Sequence, residues 1–219
     1  MRNWSFLTLF SAMLAIAACA TSPDATSDKD KADSLTKRAE LTILVSIDGF
    51  RPDYLDRGFT PVLKALAENG ARAAMRPSFP SKTFPNHYTL VTGLRPDRNG
   101  MINNTMHDPD MPGKVFTLSN RAVASMPEWW EQGTPLWVSA EKQGIRTATM
   151  FWPGSDYKIH DVQPWQHEMF DQKLPDFARV DILLGWLDVP AAERPKFATL
   201  YFDIVDTAGH IYGPDSPKT

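Results

Sequence analysis

The sequence predicts an α/β fold in which a mainly parallel sheet is flanked by helices on both faces. Three observations predict it. "LTILVSID", residues 41–48, is a continuous apolar run ending in a carboxylate, as a strand buried on both faces reads. "KFATLYFDIVD", residues 196–206, repeats the pattern far along the chain. Between them one helix grammar, a Thr-Pro start and a Gly stop, occurs twice, in "TPVLKALAENG" (60–70) and "TPLWVSAEKQG" (134–144). Strands that alternate with helices close into parallel sheet through crossover connections.

The elements follow in order. The first strand ends at Asp48. The first helix has Thr60 as N-cap, Pro61 at its first position and Gly70 as its stop. "ARAAMRPS", 71–78, is expected to form a second strand, and "NHYTLVTG" a short helix closed by Gly93. The stretch from Leu94 to Gly133 is loop-rich. The next helix repeats the cap, proline and glycine at Thr134, Pro135 and Gly144. "IRTATMFW", 145–152, is a strand. "DFARVDILLGWLDV", 176–189, spaces its apolar residues for a helix, weakened by Gly185. The last strand ends in carboxylates, and no internal repeat is present.

Residues 1–40 stand apart from this pattern. Arg2, an apolar run from Phe6 to Ala18 and small residues before Cys19 make residues 1–18 an export signal, and the run is short for a bilayer span. "IAAC", 16–19, resembles a bacterial lipobox, with Cys19 as the lipid-bearing residue; a plain secretory signal with an incidental cysteine is the alternative. Residues 19–40 are polar and read as a disordered tether to a domain spanning 41–219. The expected location is the periplasm, as a membrane-anchored lipoprotein. Cys19 is the single cysteine, so an internal disulfide is excluded. A net charge of −3, with no basic stripe, gives no nucleic-acid-binding surface.

Three segments carry chemistry. Asp48, beside Gly49, follows the first strand; it can cap the next helix or serve as a ligand, and the glycine lets backbone approach. "PSFPSKTFPNHYTLVTG", 77–93, puts Lys82, Thr83, Asn86 and His87 at a loop-to-helix junction. There, free N–H groups and the helix dipole favour anions. Thr83 is either the N-cap or a nucleophile, and as a nucleophile it needs a base or a metal. In "DTAGHIYG", 206–213, Asp206 and His210 are four apart, a spacing that lets both reach one ion or simply pair on the surface. Gly209 and Gly213 favour a tight turn there over a long helix. Ligands gather outside the carboxyl ends of strands in open α/β sheets, so these distant segments can meet.

Together, "VSIDGFRPDYL", "PSKTFPNHYTLVTGLRPDRNGMINN", "FWPGSD" and "DTAGHIYGP" resemble the nucleotide pyrophosphatase/phosphodiesterase family of the alkaline phosphatase superfamily, from Leu41 to the end. The resemblance implies an alkaline phosphatase-like fold, two zinc ions and a phosphothreonine intermediate. It implies Asp48 and Thr83 on one zinc and Asp206 and His210 on the other. It implies Asn104 as the donor to a phosphate oxygen and Phe84 as a residue packing on the substrate. Trp152, Phe170 and Tyr201 fall where the family lines its pocket. Lys82 is read as a phosphate contact or a solvated lysine. His87 is expected to serve as a structural hydrogen-bonder, and His107, His160 and His167 as surface or loop residues.

The family's further ligands, an Asp-His pair and another histidine, lie downstream of the segment matching "DTAGHIYGP". The chain is therefore expected to be the N-terminal portion of a longer enzyme, or a truncated product with impaired activity. The function implied is a zinc-dependent phosphodiesterase acting on a small-molecule phosphodiester or nucleotide. A phosphomonoesterase of the same superfamily and a non-catalytic metal- or phosphate-binding fragment are the alternatives.

Overall fold

The structure, a computed structural model, describes residues 40–219. The expected signal peptide, Cys19 and all but the last residue of the expected tether lie outside the described residues.

β1 (Thr42–Ile47) leads through a 3-10 turn into α1 (Pro61–Asn69), and α2 (Thr83–Thr92) and α3 (Pro96–Asn99) follow. Two short strands, β2 (Thr105–His107) and β3 (Val115–Thr117), precede α4 (Arg121–Ala124) and α5 (Leu136–Glu141). Then come β4 (Thr147–Met150), β5 (Gln166–Glu168), α6 (Asp176–Leu187), β6 (Phe197–Phe202) and α7 (Ile204–Tyr212).

The main sheet has the order β1-β6-β4-β5, and each neighbouring pair is parallel. Side chains alternate across it and feed two cores. On one face Ala148, Met150, Ala198 and Leu200 pack with Leu183 of α6. The other core is aromatic, with Tyr88 of α2, Trp137 of α5, Phe116, Trp130 and Trp152. Each such ring contributes roughly 1.5–3 kcal/mol when fully buried. The helices thus cover the sheet from both sides, as expected.

Register sets up the site. Ile47 pairs with Phe202, so the chain leaves β1 and β6 side by side at the carboxyl edge. The Asp48 N–H donates to the Phe202 carbonyl at 2.9 Å, extending the ladder by one bond.

Several boundaries differ from the sequence reading. Residues 71–78 form no strand, and 71–77 are exposed; alanines and arginines give that segment no face to bury. The loop-rich stretch contains the antiparallel β2–β3 pair, and β5 is a three-residue strand with no apolar run to announce it. Thr60 does not cap α1 through its side chain, because its hydroxyl turns back to the Tyr54 carbonyl at 3.4 Å. "DTAGHIYG" belongs to the helix α7 rather than to a tight turn. Gly209 stands in open space within it, and Gly213, at φ +85°, ends it.

Candidate active site

Asp48 is the hub. Its Oδ2 accepts the Thr83 hydroxyl at 3.1 Å and the Tyr201 hydroxyl at 3.0 Å, while Oδ1 accepts the Gly49 N–H at 3.0 Å. Gly49 sits at φ +71°, and a Cβ there would lie 2.7 Å from the Asp206 Cα. Only glycine lets the first turn of α7 come this close to the end of β1. Asp206 is thereby brought beside Asp48. Burial pushes the Asp206 carboxyl up, and the Asp48 charge adds to that push. One helical turn on, His210 Nε2 lies 3.5 Å from Asp206 Oδ2, with its side chain 79% exposed.

Thr83 is the first helical residue of α2, and Lys82 is the N-cap. The threonine hydroxyl therefore does not cap the helix; it points to Asp48. At the same helix end the Phe84 N–H donates to Asn104 Oδ1 at 2.9 Å. Asn103 Oδ1 accepts both Lys82 Nζ at 3.0 Å and the Asn104 N–H at 2.8 Å. Lys82 thus braces the turn that carries Asn104. With its oxygen engaged at the helix end, Asn104 keeps its amide nitrogen as a donor with no protein acceptor among the described residues.

His87 is a strut. It is buried, with Nδ1 2.7 Å from the Thr83 carbonyl and Nε2 2.8 Å from Ser46 Oγ, so it ties α2 to β1. Burial pushes its imidazole down, against the pull of Asp48, the Thr83 carbonyl and Asp206. Tyr201 is pushed up by burial and by Asp48, which keeps its hydroxyl a donor to that carboxylate.

Beside this edge opens a cleft of about 510 Å³, walled by Thr83, Phe84, Trp152, Phe170, Tyr201 and Asp206 among others. Phe84 meets Phe116 edge-on with centroids 5.7 Å apart, and Phe170 meets Phe151 at 5.4 Å and Tyr201 at 6.0 Å. Trp152 is 1% exposed and its Nε1 donates to the His87 carbonyl at 3.1 Å, so it backs the cleft from within the core. Asp48, Asn104 and His210 stand outside the cleft's lining. Arg121, Asp156 and Asp203 line it without having been singled out from sequence. The "FWPGSD" motif contained Asp156 and the carboxylates ending β6 included Asp203, whereas Arg121 carried no signal.

Two carboxylates, an imidazole and a hydroxyl suit a divalent cation such as zinc. Burial and the neighbouring Asp48 charge raise the cost of ionising Asp206, which gives that cation a physical reason to bind. The donors come as two pairs, Asp48–Thr83 and Asp206–His210. Among the described residues no group of three or more His, Cys, Asp or Glu side chains is placed to hold one ion. A hydroxyl at a helix N-terminus, beside such donors at the carboxyl edge of a parallel sheet, has the makings of a metal-assisted phosphoryl-transfer site.

The chain belongs to the type I phosphodiesterase/nucleotide pyrophosphatase family, whose sequence model matches residues 42–219. It is 44% identical over 177 residues to an uncharacterised pyrophosphatase/phosphodiesterase of Schizosaccharomyces pombe, covering 80% of this chain and 36% of that protein. It is 44% identical over 180 residues to human ectonucleotide pyrophosphatase/phosphodiesterase family member 1, covering 81% of this chain and 19% of that protein. The chain thus spans about a third and a fifth of these two relatives. Murine ectonucleotide pyrophosphatase/phosphodiesterase 5 superposes with a TM-score of 0.75 at 35% identity, over 81% of this chain and 47% of that one. An inactive form of the same murine protein, in complex with AMP, superposes equally well, with a TM-score of 0.75 at 34% identity over 81% of this chain and 46% of its own.

Proposed function

We propose that the protein hydrolyses phosphodiester or pyrophosphate bonds of nucleotide-like substrates, with zinc held by Asp48, Thr83, Asp206 and His210 and with Thr83 as nucleophile. The observation that carries this reading is the 3.1 Å bond from the Thr83 hydroxyl to Asp48, at a helix N-terminus that Asn104 flanks. Zinc, when bound, supplies a Lewis acid that makes a hydroxyl or a water acidic near neutral pH and shields phosphate charge.

The chain's own residues do the rest. Asp48 Oδ2 aligns the Thr83 oxygen and is the nearest acceptor for its proton. As the Thr83 oxygen bonds to phosphorus, the bond to the leaving group breaks. The intermediate is a phosphothreonine still esterified to the remainder of the substrate. Water then cleaves that ester and restores the hydroxyl. The Asn104 amide donates to a phosphate oxygen as charge grows on it, and the α2 dipole favours the same charge. Phe84 and Phe170, with Trp152 and Tyr201 behind them, offer apolar walls for a base. That an inactive form of the murine relative is in complex with AMP supports a nucleotide as the substrate.

One observation favours a second reading for this stretch of chain by itself. Each donor pair offers two ligands where zinc usually takes three or four from protein, which suits metal or phosphate binding without turnover. Zinc content, together with turnover of a nitrophenyl phosphodiester and of the monoester, separates the readings. Bound zinc with diester turnover that Thr83→Ala abolishes supports the enzyme. Unchanged turnover in that variant removes the nucleophile, and preference for the monoester replaces the diesterase by a phosphatase.

Export and a lipid anchor at Cys19 are part of the proposal and rest on the sequence. An acylated chain beginning at Cys19 in the mass spectrum of the mature protein is the expected result.

A further inference from the structure

Arg121, at the start of α4, reaches the wall of the cleft. Its Nη2 donates to the Phe170 carbonyl at 2.7 Å, and its Nη1 lies 3.4 Å from Asp156 Oδ2. The same Asp156 oxygen accepts the Phe170 N–H at 3.3 Å. Both backbone polar groups of Phe170 are therefore gripped by a side-chain pair drawn from distant parts of the chain. Phe170 lies between β5 and α6, outside any helix or ladder, so regular structure does not fix it. The Asp156 side chain is 11% exposed and its cationic neighbour is Arg121, which keeps the pair in place where a bare carboxylate would be costly. Phe170 is 39% exposed as a residue, and its ring meets Phe151 and Tyr201 edge-on in the same cleft as Phe84.

We infer that Arg121 is a positioning residue for the aromatic cleft: by holding the Phe170 backbone it fixes that ring as a wall for a flat heteroaromatic base, and so sets affinity for the base of a nucleotide without acting at the phosphate. The inference rests on the reading of the cleft as a nucleotide site. The planar guanidinium suits the task, since one group spans a carbonyl and a carboxylate at once. A loosened Phe170 would leave a stacking partner misplaced, and stacking on an aromatic face is a main source of base affinity in sequence-tolerant sites.

The test is equilibrium binding of AMP and of ribose 5-phosphate to the whole chain in zinc-containing buffer, for the natural sequence, Arg121→Met and Phe170→Ala. The natural sequence should bind AMP more tightly than ribose 5-phosphate. Arg121→Met should lose about tenfold in AMP affinity and nothing for ribose 5-phosphate, which also reports an intact fold. Equal loss for both ligands would make Arg121 a general support of the fold and overturn the inference. AMP affinity untouched in Arg121→Met but reduced in Phe170→Ala would overturn it too, while sparing the nucleotide cleft. No preference for AMP in the natural sequence, or none lost in Phe170→Ala, would remove the nucleotide cleft and the inference with it.

Discussion

Thr83 and Asn104 meet at one helix end, and their proposed roles separate cleanly. Asn104 spends its oxygen on the Phe84 N–H, so what it can offer a phosphate is its amide N–H. Loss of one such donor typically costs about 3 kcal/mol of barrier, roughly a hundredfold in rate. Asn104→Ala should therefore lower kcat about that much in diester hydrolysis while zinc content stays constant. Gly49 has a different role. Its φ and its contact with the Asp206 backbone forbid a side chain, so Gly49→Ala should push α7 off the end of β1. A loss of about 1–3 kcal/mol in thermal or denaturant unfolding, with zinc binding weakened in parallel, is the expected outcome. The glycine's licence for close approach was legible beside Asp48; that the approaching group is Asp206 was not, because one-dimensional order says nothing about which strand neighbours which.

Elements with a strong local signal were legible. The strands at 42–47 and 197–202, the proline-led helices α1 and α5 and the apolar-spaced α6 fall close to where the sequence places them, although Thr60 makes no side-chain cap and α5 starts at Leu136, with Pro135 rather than Thr134 as its N-cap. Boundaries that tertiary bonds define were not. β4 falls inside the strand read at 145–152, whereas the three-residue β5 had no apolar run, and the start of both is set by Glu141 at the end of α5. Its Oε1 accepts the Thr147 N–H at 2.6 Å, the Thr147 hydroxyl at 2.7 Å and the Trp165 N–H at 3.0 Å. No periodicity announces one carboxylate pinning a helix and two strands. Glu141→Ala should cost about 1.5–3 kcal/mol, as a lost hydrogen bond to a charged group does, and Glu141→Gln should recover part of it in the same unfolding assay. α7 was hidden for another reason. Two glycines within eight residues argue for a turn, yet Gly209 meets nothing that needs a side chain, and the helix gains from packing on β1.

At the scale of the molecule, the sheet gathers the candidate site at one edge and leaves another edge bare. Among the described residues β1 pairs with β6 alone, and Ile43 and Val45 are 43% and 50% exposed. On α1 none of the residues is buried, and Val62 and Leu66 stand 72% and 65% exposed. An apolar edge strand invites pairing between chains. The isolated chain should self-associate in light scattering, and Val45→Lys should reduce that association with the far-ultraviolet circular dichroism unchanged. The site's position was legible as a principle, since strand ends collect ligands, and it became specific through the Ile47–Phe202 register. The central claim is that Thr83 becomes covalently attached to phosphorus. Acid quenching during turnover of a nucleotide diester, followed by peptide mass spectrometry, tests it most directly. A nucleotidyl group on Thr83 that is absent from Thr83→Ala is the predicted result; turnover with that group on another residue, or with an unmodified Thr83 throughout the steady state of a variant slowed in the second step, would contradict it.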